Sequence, residues 1–358
     1  MRPSSQNGQL RVGIAGLGGI AKRTHLPVLQ MLPGYQVVCG AEKDDYQCER
    51  VCCLFNLEES YQDFMAMIEK ADIDAIFVCL PATLHKRAVL AALERGLHVF
   101  CEKPMGVSPD EANAMVLMAE KTGKLLMPGY NLRYVDNFIR ARNLIVSGKL
   151  GRILQINATY MNPGPYISWD PKSDWYLDRS SHGALYDIGS HLVDLLLYLY
   201  PHRIKRLFAS ASQGYQPYEA VTNISCSYEG EGGLLGSIQI GWRTASEVCR
   251  LDFHGTAGTL SVSRRHFSYT HGATDPANRI SISLDNAARE IGALLHKINR
   301  MRKGLDVLEE FLRQGIEFWN HLAKGKADLS KAHDAIYVHE ILRAILSSIT
   351  DERTVFLE

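Results

Sequence analysis

Arg11-Val12-Gly13-Ile14-Ala15-Gly16-Leu17-Gly18-Gly19-Ile20-Ala21 is the stretch that sets the architecture. Apolar residues from Arg11 to Leu17 form a short strand pattern. Ile20 to Met31 follows a helical pattern, broken by Pro33-Gly34. Between the two lies a G-x-G-x-x-A turn. Gly16 allows the tight turn, and Gly18 lets the backbone approach a pyrophosphate. Gly19 and Ile20 open a helix whose N-terminus faces the phosphates, while Ala21 is small enough for close helix–strand packing. Glycine-rich turns are common, so the context carries the reading: a strand before, a helix after, then a second strand, Gln36–Ala41, ending at Glu42. A carboxylate there accepts hydrogen bonds from ribose hydroxyls and repels the extra phosphate of NADP. Lys43 beside it can pair with such a phosphate. The reading is NAD, with NADP left open.

Outward from this unit the alternation continues. Asp45–Cys53 reads as a helix, and Tyr61–Phe64 opens another. Ala75–Leu80 is a buried strand ended by Pro81, and Thr83–Arg95 a helix closed by Gly96. Leu97–Cys101, a helix Pro109–Thr122 capped by Ser108, and a strand Lys124–Pro128 follow. Strands alternating with helices predict an α/β domain over residues 1–129, a doubly wound parallel sheet. Ligands of such sheets bind at the carboxyl ends of the strands. One such end is Leu80-Pro81, with His85 a turn beyond, and another is Glu102-Lys103-Pro104. Pro104 cannot extend the sheet, so the chain must turn at Lys103, placing an ammonium where cofactor and substrate are both in reach.

After Gly129 the character changes. A helix Asn131–Val146 carries Arg133 and Arg140, a strand follows at Arg152–Met161, and a loop rich in Pro and aromatics runs from Asn162 to Tyr176. Gly183–Tyr200 is a long apolar helix. Five strands lie between residues 205 and 262, and several alternate apolar and polar side chains, the mark of an antiparallel sheet with one face covered. Helices Ala287–Met301, Leu305–Lys324 and Ser330–Ser348 end the chain, with Thr354–Leu357 as an edge strand. The expectation is a second, α+β domain over residues 130–358 with a large, mostly antiparallel, open-faced sheet. Within its apolar helix, Asp187 and His191 are i and i+4, and Asp194 shares their face. An imidazole titrates near neutrality and suits proton exchange with a hydroxyl, and Asp187 can orient it and raise its basicity. Gly189 and the run Ser181-His182-Gly183 imply a close backbone approach.

Composition narrows the field. At 358 residues and 46% apolar content, the chain has room for two cores. Lysine plus arginine equals aspartate plus glutamate, 39 against 39, which leaves no electrostatic footprint for nucleic acid. Leu185–Tyr200 is interrupted by Asp187, His191 and Asp194 and is short for a span, so no membrane partner is expected. The polar start, Met1–Gln9, has no signal core, and a cytoplasmic protein is expected. Eight cysteines fit that compartment as reduced thiols; Cys48 and Cys52 lie one turn apart, but no second pair at zinc spacing is near, so no metal is expected.

Together these stretches resemble the Gfo/Idh/MocA family of nicotinamide-dependent oxidoreductases. The matching pieces are Gly16-x-Gly18-x-x-Ala21 with Thr24-His25-Leu26-Pro27, Pro81-x-x-x-His85, Glu102-Lys103-Pro104, Asn131-x-Arg133 and Asp187-x-Gly189-x-His191. The resemblance implies a Rossmann domain plus an open-faced α/β domain, assembly into homodimers or homotetramers, and sugar, cyclitol or related polyol substrates. Carried over, the catalytic residues are Lys103, Asp187 and His191. The cofactor residues are Gly16, Gly18, Gly19, Ile20, Ala21, Glu42, Lys43, Leu80, Pro81, His85, Glu102 and Lys103. Substrate residues are Lys103, Asn131, Arg133, Trp169, Asp187 and His191. Arg133 is read equally as a structural ion pair, and Trp169, Trp175 and Tyr176 as a sugar-facing wall or as core. His85 reads as a pocket residue or a helix cap, His25 as packing, and Asp194 as acting through a neighbour. The family's glycine-rich run before the aspartate is replaced here by Ser181-His182-Gly183-Ala184. Two other functions stay open: an NAD-dependent glycoside hydrolase working by transient oxidation, and a non-catalytic nucleotide-binding regulator.

Overall fold

A computed structural model describes residues 8–164, 182–212, 221–272, 308–325 and 327–357. Its contacts divide the chain into two compact units, Met1–Asn131 with Glu310–Glu340, and Leu132–Glu309 with Ile341–Glu358.

The first unit is built on six parallel strands: β1 (Leu10–Ala15), β2 (Tyr35–Ala41), β3 (Glu59–Tyr61), β4 (Ala75–Val78), β5 (His98–Cys101) and β6 (Leu126–Pro128). Their order is β3-β2-β1-β4-β5-β6, so the direction of travel reverses between β1 and β4, where such a sheet opens its ligand crevice. Val12, Ile14, Ala75, Ile76 and Val99 are completely buried, which is why these strands read as unbroken apolar runs. The helices are α1 (Leu26–Met31), α2 (Asp45–Leu54), α3 (Phe64–Lys70), α4 (Ala82–Glu94) and α5 (Pro109–Thr122). Side chains start three of them: Asp44 accepts the Gln47 N–H, Asp63 that of Met65, and Ser108 that of Glu111. The doubly wound sheet is thus as expected. Two details differ. Strand β3 has only three residues, none buried, and offers no pattern to read. The expected helix from Ile20 is split, because Ala21–His25 forms a π turn ahead of α1.

The second unit carries an eight-stranded sheet: β7 (Ile153–Met161), β8 (Ile204–Ser212), β9 (Asn223–Gly230), β10 (Leu235–Gly241), β11 (Val248–Gly255), β12 (Gly258–Ser263), β13 (Phe267–His271) and β14 (Val355–Phe356). The order is β13-β12-β11-β7-β10-β9-β8-β14, and every pair is antiparallel except β7 with β10. Buried Leu207 and Ala209 alternate along β8 with exposed Phe208 and Ser210, as a sheet with one covered face requires. The terminal edge strand is where it was expected, with Val355 opposite Leu207. Strand β13 was not expected. The helices are α6 (Asp136–Val146) and α7 (Ser190–Leu199), each with an irregular lead-in. A 3-10 turn, Asn131–Tyr134, stands where the first helical turn was expected, and Leu185–Gly189 is π-helical.

Two helices near the C-terminus complete the chain, α8 (Glu309–Ala323) and α9 (Ser330–Asp351). All of residues 130–358 was expected in one domain, but Glu310–Glu340 groups with the first unit. There Phe318 meets Phe77 and Phe100 edge-on, and the Tyr35 hydroxyl donates to Gly315 O at 2.6 Å. An amphipathic helix shows that it has an apolar face, not which core that face joins. The expected helix Ala287–Met301 lies outside the described residues. Among the described residues no helix is long and apolar enough to cross a membrane. All eight cysteines are free thiols, seven buried and Cys53 exposed. Burial pushes the thiols of Cys39, Cys52 and Cys226 up to about 12.

Candidate active site

In the first unit the glycine turn is shaped by close approach. Gly16 has φ +88°, and a Cβ there would stand 2.6 Å from Cys79 O, so only glycine fits. Its N–H donates to Ala41 O, tying the turn to β2. At Gly18 a Cβ would meet nothing within 4 Å, leaving a bare backbone face open to a ligand. Gly19 and Ile20 begin the helical turn, and Ala21 is completely buried against the sheet. Glu42, half-buried at the end of β2, accepts the Leu17 N–H at 3.1 Å, which aims its carboxylate beside the turn. Gln47 adds a brace that was not read from the sequence: its amide donates to Leu17 O and accepts from Lys22 Nζ. Lys43 is exposed. Bare glycine backbone, a helix start and an oriented carboxylate fit a dinucleotide with free ribose hydroxyls.

At the end of β4, Leu80 and Pro81 are half-buried. His85 is inside, 1% exposed, and both ring nitrogens face backbone oxygens: Nε2 lies 2.7 Å from Leu80 O and Nδ1 2.9 Å from Pro104 O. It joins two chain segments. Burial lowers its pKa, against the two carbonyls, which favour the protonated ring. Glu102 is also buried, and its carboxylate is engaged within the protein. One oxygen meets His25 Nε2 at 2.6 Å and the other accepts the Lys103 N–H at 3.1 Å. Burial alone would raise this carboxyl's pKa, but the His25 hydrogen bond and the nearby His25 and Lys103 hold it below its ordinary range. His25, read as packing, is thus a hydrogen-bond partner, boxed by Phe77, Phe100 and Phe311. Lys103 itself is half-buried, immediately beyond β5. Asn131 is buried at the start of the 3-10 turn.

In the second unit, Asp187 and His191 stand apart by exposure. From Gly183 to Leu197 every residue is buried except these two, so the stretch presents only a carboxylate and an imidazole. Gly189 between them lets the turn settle on the sheet, since a Cβ there would meet Ile240 Cδ1 at 2.8 Å. The close approach inferred from Gly189 is therefore to a strand. Tyr160, missed in the sequence, lies beside this pair. Its ring centre is 6.4 Å from that of His191, and its hydroxyl donates to Glu247 at 3.3 Å. Burial, then Cys249, Glu247 and Asp187, raise its pKa against Arg264, so the phenol stays a donor. An inward tyrosine on an alternating strand carries no other signal. Arg133 is 6% exposed, and its Nε reaches both oxygens of buried Asp194 at 3.1 and 2.9 Å, with Nη2 on the same carboxylate. Of its two readings, the arrangement is that of an ion pair. Trp169, with Trp175, Tyr176 and Ser181, lies outside the described residues.

The sequence matches the family model described as "Oxidoreductase family, NAD-binding Rossmann fold" over residues 10–130, and that of the "GFO/IDH/MocA C-terminal domain" over residues 138–261. Among curated relatives, an uncharacterized oxidoreductase, YrbE, of Bacillus subtilis is 26% identical over 58% of this chain and 59% of its own length. The myo-inositol 2-dehydrogenase of Thermotoga maritima is 26% identical over 57% of this chain and 58% of its own. The chain thus spans somewhat under two thirds of each of these relatives. Among solved structures, the WlbA dehydrogenase from Bordetella pertussis, in complex with NADH and UDP-GlcNAcA, superposes with a TM-score of 0.82 at 19% identity, covering 98% of both chains; at that identity the likeness is one of fold. The chain belongs to the GFO/IDH/MocA oxidoreductase family, with an NAD-binding Rossmann domain in its first unit and the family's C-terminal domain in its second.

Proposed function

We propose that this chain is a dehydrogenase that moves hydride between NAD and a secondary alcohol of a sugar, cyclitol or related polyol. The observation that carries the reading is the Asp187–His191 pair, two titratable groups presented by an otherwise buried helix. Bound NAD supplies the hydride acceptor, and the remaining work falls to the chain's own groups. His191 takes the hydroxyl proton, and Asp187 orients its ring and favours the imidazolium that forms. Lys103 donates a hydrogen bond to the reacting oxygen and stabilises its negative charge. Gly16, Gly18, Gly19 and Ile20 hold the pyrophosphate, and Glu42 takes the ribose hydroxyls, which favours NAD over NADP. The two relatives' names support the chemistry, one an oxidoreductase and the other acting on an inositol.

The protein works in the cytosol as a homodimer or homotetramer. Phe208, Leu235, Val248 and Phe356 share one face of the second sheet by register and are all exposed, which supports a second copy as their cover. Light scattering on the purified chain tests this; a monomer at micromolar concentration rules it out. The function is tested with a panel of inositols, hexoses and sugar nucleotides, each with NAD and with NADP, read by nicotinamide absorbance. Turnover with NAD on at least one polyol is expected, and Lys103→Ala should abolish it while NADH binding persists. Tight NADH binding with no turnover anywhere on the panel overturns the reading.

A further inference from the structure

Lys103 sits on Glu102–Gly106, a segment that is neither helix nor strand. Beyond Glu102 no ladder holds it, so its backbone groups must find partners elsewhere, and burial makes the matter pressing: Pro104, Met105 and Gly106 are all buried. Only the first of these contacts is to another backbone, Glu102 N–H to Val78 O. The Lys103 N–H goes to the Glu102 carboxylate, which His25 braces. Pro104 has no N–H, and its carbonyl faces His85 Nδ1. The Gly106 N–H donates to His339 Nε2 at 3.3 Å, and the Val107 N–H to Glu111 at 3.1 Å. Three imidazoles, 3%, 1% and 0% exposed, thus converge on five residues from the π turn, α4 and α9.

We propose that these histidines form a clamp that sets the direction of the Lys103 side chain, and that His339 is its distal positioning residue. The inference rests on the reading of Lys103 as catalytic. A backbone N–H can only donate, so His339 Nε2 must be unprotonated and its proton must sit on Nδ1. The ring is neutral, and its role is that of an acceptor. His339 lies 233 residues from the glycine it holds, on a helix where an isolated histidine would pass for core.

The test uses the full-length protein with His339→Leu, which removes the acceptor, His339→Gln, which can restore one, and Lys103→Met. His339→Leu should lower kcat about 10- to 100-fold on the best polyol, while the NADH dissociation constant moves less than about threefold. His339→Gln should recover kcat to within roughly fivefold of the parent. Nitrogen-15 histidine spectra of the parent at pH 7.5 should show the His339 ring protonated at Nδ1 only, a readout independent of turnover and of whether the leucine variant folds. A proton on Nε2 overturns the proposal. So does a leucine variant with unchanged kcat, or one in which kcat and NADH affinity fall together and glutamine restores neither. If Lys103→Met keeps its turnover, the catalytic reading of Lys103 fails and the clamp loses its purpose; if it is dead while His339→Leu is fully active, only the clamp fails.

Discussion

The Lys103 segment and the Asp187–His191 stretch both present reactive groups from buried backbone, and they do it by opposite means. Asp187 and His191 ride on helical turns, whose backbone hydrogen bonds are internal, so placement needs little beyond a glycine to settle on the sheet and the Arg133–Asp194 pair on α7. Beyond Glu102 the segment to Val107 has no such ladder and borrows its rigidity from side chains of the π turn, α4, α5 and α9. Regular structure makes a catalytic group cheap to place; an irregular segment makes its placement depend on distant residues.

The largest expected effect falls on the helical side. His191→Asn should cut kcat by about 10²- to 10⁴-fold and alter the pH–rate profile, which stopped-flow nicotinamide absorbance will show. An unaltered profile would take His191 out of its role. Asp194→Ala breaks the support of the same helix. It removes the carboxylate that pairs with the buried Arg133 guanidinium and should cost about 3–5 kcal/mol in urea unfolding. A loss below 1 kcal/mol would mean that α7 does not depend on the pair.

Acid should act on two imidazoles of the first unit, one of them in the clamp. His339 and His98 each accept a backbone N–H, from Gly106 and Leu125, and burial lowers both rings from 6.5 to about 4. The unfolded chain therefore takes up protons first as pH falls. Their contribution is complete above about 6.5 and drains away between 6.5 and 4, at about 3 kcal/mol for each ring. Urea midpoints across that window measure it, and His339→Gln should flatten the slope. The smallest effect sharpens the contrast. Gly189→Ala should cost about 1 kcal/mol against Ile240, and Ile240→Val in the same chain should return part of it.

Much of this was legible in the sequence because the signals are local. The glycine turn, the acid after β2 and the apolar runs of β1, β4 and β5 each declare themselves within a few residues. Asp187 and His191 were legible by spacing, which survives the π geometry of Leu185–Gly189. What could not be read depends on distant partners. Nothing near His339 names Gly106, nothing near Arg133 chooses Asp194 over a ligand, and nothing in α8 says that it packs with Phe77 and Phe100. The π turn at Ala21–His25 also escaped, because apolar periodicity does not separate it from an α-helix over so short a span.

The thiol pattern has a practical consequence. Only Cys53 reaches solvent, at the end of α2, while the other seven sulfurs are enclosed. A maleimide dye applied to the native protein should therefore attach once per chain. That gives a single-site fluorescent reporter without engineering, and any additional uptake would report opening of a core.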